Sequence, residues 1–247
     1  MLHRNAAERI HRVQDAYVNW YIVEDGERLT IVDTGHPSSW KSLHAALSDL
    51  GRRPADIEAV VLTHGHFDHM GFAERARQGL GVPLWAPTGE EVLVRHPWRY
   101  EHERSRGVNA LQHPGFLRVF AAMGAAGALW VKGSAGARTY PAEGVLDVPG
   151  RPTVIPTPGH THGHCALHFA DRGAVIAGDA IVTYNPYTTG RGPQIVSGAA
   201  TADSARALAS LDALERTGAD LVLTGHGPVW TQGVATAAGR AREVGAT

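Results

Sequence analysis

The sequence predicts an α/β fold, and three observations on its 247 residues predict it. Short β-branched runs bounded by Gly and Pro recur along the chain, as buried strands do. The segments between them are long enough for amphipathic helices. Each run also closes on a residue able to bind metal or organise its loop: "RLTIVD" at Asp33, "IEAVVLTH" at His64, "TVIPTPGH" at His160, "GAVIAGD" at Asp179 and "LVLTGH" at His226. A sheet fixes the bases of such loops while leaving the loops free to differ, so five polar strand ends are expected to converge on one edge.

Taken in order, "NWYIVEDGERLTIVDTG" reads as a hairpin turning at Asp25-Gly26. "SSWKSLHAALSDLG" reads as a helix with Ser38 or Ser39 as N-cap, a stripe of Trp40, Leu43, Leu47 and Leu50, and Gly51 as its stop. "TADSARALASLDALERTG" repeats the pattern with Leu208, Leu211 and Leu214, and both stripes are read as helix packed on sheet. Between Glu90 and Arg138 helical spacing is broken by Pro and Gly, which predicts a helical insertion over one end of the sheet. No boundary separates two cores, so residues 1–247 are expected to form one domain with an insertion at about 90–138.

A 43% hydrophobic content is ample for a sizeable core, and a net charge of −1 argues against a nucleic-acid or membrane partner for the chain as a whole. The charge is uneven. From Val92 to Tyr140 seven basic residues, Arg95, Arg99, Arg104, Arg106, Arg118, Lys132 and Arg138, face only Glu101 and Glu103. Cys165 is the only cysteine, which excludes an intramolecular disulfide and fits a reducing compartment. The N-terminal stretch has charges throughout and does not read as a signal peptide, and no apolar run reaches bilayer length. The expected location is cytoplasmic.

The chemistry is concentrated in "VLTHGHFDHMG", which puts His64, His66, Asp68 and His69 within six positions. In an extended segment i and i+2 point the same way, so His64 and His66 can grip one ion, while Asp68 and His69, at the turn into the next helix, can face a second. A dinuclear site is the economical reading. Imidazole with carboxylate suits Zn, and Fe and Mn accept the same set. Asp179 is the candidate bridging carboxylate, and His160 and His226 stand at strand ends able to complete the site. His160, His162 and His164 alternate in "GHTHGH", so spacing alone does not choose among them. His3, His11, His36, His44, His96, His102, His113 and His168 are read as ordinary surface or locally satisfied residues.

"THGHFDH", "TPGHTHGH", "AGDA" and "TGHG", in this order, with "IVDTG" near the start, resemble the metallo-β-lactamase superfamily over almost the whole chain. The resemblance implies a four-layer αββα sandwich of two mixed sheets flanked by helices, with a dinuclear metallohydrolase site at one edge. It makes His64, His66 and His160 the ligands of one divalent ion, Asp68, His69 and His226 those of the other, and Asp179 the bridge. It leaves His164 behind the ligands and gives Asp33 a structural role. It further implies a hydroxide nucleophile, because a metal-bound water has its pKa lowered to about 7, with Asp68 orienting it. Cys165, on the face of Leu167 and Phe169 if "HCALHF" is a strand, is read as core rather than as a ligand. Tyr184 is the candidate catalytic hydroxyl, with Tyr187 as its alternative, since both follow Asp179 closely in "DAIVTYNPYTTG".

Within that superfamily, the short segment after His226 disfavours glyoxalase-II-type enzymes, the lack of extra domains disfavours RNA-processing nucleases, and His66 disfavours flavin-linked diiron oxidoreductases. The expectation is hydrolysis of an ester, thioester or lactone of a small molecule. β-Lactam hydrolysis and a mononuclear iron dioxygenase using His64, His160 and Asp179 are the alternatives. The basic insertion, with Trp98, Phe116, Phe120 and Trp130 as an apolar wall, is expected to select the substrate and to favour an anionic one, or else to form a homodimer contact.

Overall fold

Alternation along the strands builds the architecture seen in the computed structural model, which describes residues 1–247. In the first sheet β1 (Leu2–Ala7), β2 (Ile10–Asp15), β3 (Val18–Asp25), β4 (Arg28–Val32), β5 (Ile57–Val61), β6 (Leu84–Pro87) and β7 (Arg138–Tyr140) lie side by side in chain order. The first four form an antiparallel meander, and β4 to β7 run parallel. Each parallel step needs a crossover. These are α1 (Ser39–Leu50), α2 (Ala73–Leu80) and a longer excursion with α3 (Glu91–Arg95), α4 (Arg106–Gln112) and α5 (Gly115–Ala125).

The second sheet holds β8 (Gly144–Val145), β9 (Thr153–Pro156), β10 (Cys165–Phe169), β11 (Ala174–Gly178) and β14 (Leu221–Thr224), ordered β14-β11-β10-β9-β8. Only β11 and β14 pair in parallel; their crossover carries the hairpin β12 (Val182–Tyr184) and β13 (Arg191–Gln194), then α6 (Ser204–Glu215). The last helix is α7 (Val234–Val244).

Because successive side chains point to opposite faces, neighbouring residues enter different cores. Ile22, Val60 and Leu62 pack with Leu43 and Leu47 of α1 on the outer face of the first sheet. Tyr21, Val23 and Val61 turn inward to meet Cys165, Leu167, Phe169 and Ile176 of the second. Ala166, Val175 and Ala177 face outward onto Leu211 and Leu214 of α6 and Ala237 and Ala241 of α7. The result is the expected αββα sandwich, with Cys165 in its central layer.

Local signals set most element ends. Gly51 closes α1 at φ +68, and Asp203 caps α6 by accepting from the Arg206 amide at 2.8 Å. The hairpin turns one residue later than expected, on Gly26 and Glu27, because Asp25 still pairs with Arg28 in the ladder. Strand lengths also differ: β5 stops at Val61, so the segment carrying His64 and His66 is irregular backbone beyond the strand. No helix is long and apolar enough to cross a membrane.

Candidate metal centre

The loops after β5, β9, β11 and β14 meet at one edge of the sandwich and bring His64, His66, Asp68, His69, His160, Asp179 and His226 together. Three groupings have donor atoms within 4.8 Å of one another: His64, His66 and His160; His64, His69 and Asp179; and Asp68, His69 and His226. All seven residues are buried, Asp68 being the most exposed at 7%.

The distances are those of ligands around an ion. Two nitrogens each about 2.0–2.1 Å from a tetrahedral ion stand roughly 3.3 Å apart. Asp179 Oδ2 is 3.4 Å from His160 Nε2 and 3.2 Å from His226 Nε2, while Oδ1 is 3.5 Å from His69 Nε2. Asp68 Oδ2 lies 3.5 Å from His226 Nε2. Asp179 thus touches one histidine of the first grouping and two of the third, the position a bridging carboxylate requires. His160 Nε2 and His66 Nδ1 approach to 2.9 Å.

Hydrogen bonds on the far side of the rings settle which nitrogen faces inward. The Thr63 hydroxyl gives its one proton to Asp33 Oδ2 (2.9 Å), so at 3.0 Å it accepts from His64 Nδ1. The Thr201 hydroxyl is spent on the Val196 carbonyl (2.8 Å) and accepts from His160 Nδ1 at 3.3 Å. His69 Nδ1 donates to Asp33 Oδ2 at 3.0 Å and His226 Nδ1 to the Tyr17 carbonyl at 2.8 Å. Each of these four rings is left with Nε2 turned to a common space. His64 Nε2, His66 Nε2, His69 Nε2 and Asp179 Oδ1 are buried without any hydrogen-bond partner. Burying so many unpaired acceptors is costly unless a cation satisfies them, and the donor set fits two divalent ions.

Charge within the site points the same way. Burial, reinforced by His69 and the other imidazoles, holds His64 well below the usual histidine range; burial likewise depresses His66, and takes His160 down to about 3. These rings are neutral, as ligands must be. Burial opposes ionisation of His69 too, but Asp179, Asp33 and Asp68 outweigh it and hold its pKa well above the usual value. The Asp179 carboxyl, despite its burial, is kept well below its usual range by His226 and His69. The carboxylates therefore demand positive charge in this cavity.

The structure separates the three alternating histidines. His160 joins the cluster. His162 is exposed, 3.2 Å from Glu101. His164 accepts from the Asp179 amide at 3.1 Å and donates to Thr157 Oγ1 at 2.7 Å, so both nitrogens are spent on holding the Asp179 strand end. Asp33, at φ +57, ties the first loop to His69 and also accepts from the Thr63 amide at 2.8 Å.

Other buried polar residues were not singled out by the sequence. Glu90, fully buried, accepts from the Gly65 amide and the Gly163 amide, both at 2.8 Å, and so binds the His64–His66 loop to the His160–His164 loop. Its one sequence signal is an acidic residue at the start of an apolar helix, which ordinarily reads as solvated. His36, read as ordinary, is completely buried with neither ring nitrogen hydrogen-bonded, and burial lowers its pKa to about 4. His11 is buried as well, 3.3 Å from Glu24.

The candidate tyrosines part company. Tyr184 is partly exposed and stacks on Tyr17 at 5.5 Å, next to the carbonyl that orients His226. Tyr187 is buried, its hydroxyl 2.9 Å from that of Tyr100. Tyr100, from the insertion, lies against the His66 ring at 4.3 Å under the Arg106 guanidinium. The expected apolar wall is therefore built differently: Trp98 stacks on Phe67 at 3.9 Å and Phe116 on Tyr187 at 5.2 Å, whereas Phe120 and Trp130 are 37% and 71% exposed.

Two intact His/Asp groupings at the edge of an αββα sandwich define a metal-dependent hydrolase. Residues 13–226 match the metallo-β-lactamase superfamily, and the chain belongs to that family. It is 26% identical over 237 residues to the probable metallo-hydrolase YflN of Bacillus subtilis (strain 168), covering 90% of this chain and 85% of that protein. Among solved structures it is similar to a metallo-β-lactamase family protein of Thermus thermophilus (TM-score 0.65, 24% identity, 96% of this chain and 78% of the other). It is also similar to the protein TTHA1623 in a di-iron-bound form (TM-score 0.57, 24% identity, 90% and 93%).

Proposed function

We propose that the protein hydrolyses an ester, thioester or lactone of a small molecule at a two-metal centre, with His64, His66 and His160 holding one ion, Asp68, His69 and His226 the other, and Asp179 between them. The observation that carries this reading is Asp179, whose one carboxylate stands 3.2–3.5 Å from histidine nitrogens of both groupings. Zn is the proposed metal; the same donors accept Fe and Mn. When bound, two such ions supply Lewis acidity at the substrate carbonyl and a water activated at neutral pH.

The chain's own residues do the rest. Asp68 Oδ2 faces His226 at the solvent side of the cluster, where a carboxylate can orient the attacking water and accept its proton. His164, Thr63 and Asp33 hold the ligands so that little reorganisation is needed. Tyr184, on the partly open side beside His226, is the hydroxyl placed to meet a substrate oxygen, since Tyr187 is engaged by Tyr100. The mononuclear dioxygenase alternative leaves Asp68, His69 and His226 without a task, although they form as tight a grouping as the first.

Zn-loaded protein offered a lactone, a thioester, an aryl ester and a β-lactam in weakly buffered indicator should release acid from one of the first three at least tenfold faster than from the β-lactam. β-Lactam preference would replace the substrate class, and oxygen uptake by an iron-loaded sample without acid release would replace the reaction.

A further inference from the structure

Beside the His66 and His160 rings lies a cavity of about 220 Å³ that the catalytic residues do not fill. That is smaller than the roughly 300–1,000 Å³ of pockets for drug-sized ligands, so it takes one end of a substrate. Its apolar wall is Val92, Leu93 and Ala202, and its rim carries Arg99, Glu101 and His162.

One cation on this rim has no partner in the fold. Arg99 makes no side-chain hydrogen bond, ion pair or stacking contact with the chain, unlike Arg104 and Arg106 on the same insertion, which pack against the Gly198 and Tyr100 regions. The Thr161 hydroxyl, on a residue 2% exposed, is taken up by the buried Glu90 carboxylate beside it. Two acids line the cavity: Glu90, whose pKa burial raises and whose oxygens accept from the Gly65 and Gly163 amides, and Glu101 on the rim, 3.2 Å from His162. An unpaired guanidinium at the mouth of this recess matches charge-assisted recognition of a carboxylate.

We propose that this cavity binds the far end of the substrate and selects a carboxylate there, Arg99 being the specificity-determining cation. The inference rests on the hydrolase reading and narrows it. The substrate is a short acyl ester, thioester or lactone whose acyl part carries a second, ionised carboxyl group a few bonds from the scissile carbonyl. Arg99 acts on binding and orientation; the bond cleaved and the groups cleaving it are those already described.

The test uses a charged and a neutral partner of one shape: 5-oxohexanoate and 5-oxohexanamide as ligands, and the aryl esters of glutarate and of its monoamide as substrates. Isothermal titration into the Zn-loaded and the metal-free protein should show 5-oxohexanoate bound about three- to fivefold more tightly than 5-oxohexanamide, as expected for an Arg–carboxylate contact at an exposed guanidinium. The same ratio should appear in kcat/KM. In Arg99→Ala the ratio should fall to within twofold of unity, and in Glu101→Gln it should rise two- to threefold, because an opposing charge is removed. Because the ratio compares two ligands on one protein, general damage to the fold cancels. Equal binding of the two ligands, or a preference that Arg99→Ala preserves, would overturn the proposal. Failure of both esters to turn over, with the binding preference intact, would instead count against the hydrolase reading alone.

Discussion

At the scale of single residues, the site is governed by Asp179 and by what crowds it. Asp179→Ala removes the one carboxylate that stands within 3.5 Å of histidines from both proposed ion sites and should lose at least one metal per chain, read by elemental analysis of dialysed protein; full metal content would remove the bridging assignment. Gly225, beside His226, leaves no room for a side chain: an added Cβ would collide with Asp179 Oδ1. Gly225→Ala should therefore displace that carboxylate and lower metal content and turnover together by tenfold or more. A variant that binds two metals normally would show that the carboxylate position is not critical.

At the scale of elements, the metal loops are positioned by contacts between crossovers rather than by the strands that carry them. Glu90, at the head of α3, joins two loops through buried amides. Glu90→Ala would strand both donors, and a buried unsatisfied polar group costs about 1–3 kcal/mol. The expected loss is roughly 2–5 kcal/mol in denaturant unfolding, accompanied by weaker metal retention. Stability unchanged within about 0.5 kcal/mol would mean that the loops hold without it. The insertion is tied to the β12–β13 hairpin by Tyr100 and Tyr187, and by the Asn109 amide donating to the Tyr187 carbonyl at 3.0 Å. Its basic character and its aromatic residues were visible in the sequence. Which aromatics face the site depended on how α4 and α5 lie against the hairpin.

At the scale of the whole molecule, the fold stores neutral imidazoles in its interior. Burial lowers His36 and His164 to about 4 and His160 to about 3, and holds His64 and His66 well below the usual value. In the unfolded chain these groups titrate near 6.5. Between about pH 6.5 and 4 the unfolded state then binds more protons, so the stability of metal-free protein present above about pH 6.5 is lost as pH falls. His69 and His226, raised by neighbouring carboxylates, act oppositely, but only above their unfolded value. Denaturant midpoints measured on metal-free protein should fall steadily from about pH 7 to about pH 5; a flat profile would mean that the buried rings titrate as they do in the unfolded chain. Metal should raise the midpoint, because it binds the assembled site far better than the unfolded chain.

The sequence by itself determined the α/β class and the polar strand ends and, with the family resemblance, the seven candidate ligands. Those depend on short-range patterns: β-branched runs, helical stripes, and imidazoles at fixed offsets along the chain. It could not choose among His160, His162 and His164 by spacing, and it held no sign that Glu90 or His36 is buried or that Arg99 is left unpaired. Only the tertiary structure decided these points. Burial and partnership depend on which remote segment comes to lie alongside, as when Gly65 and Gly163 close on Glu90, and that is a property of two sheets packed together rather than of any stretch of chain.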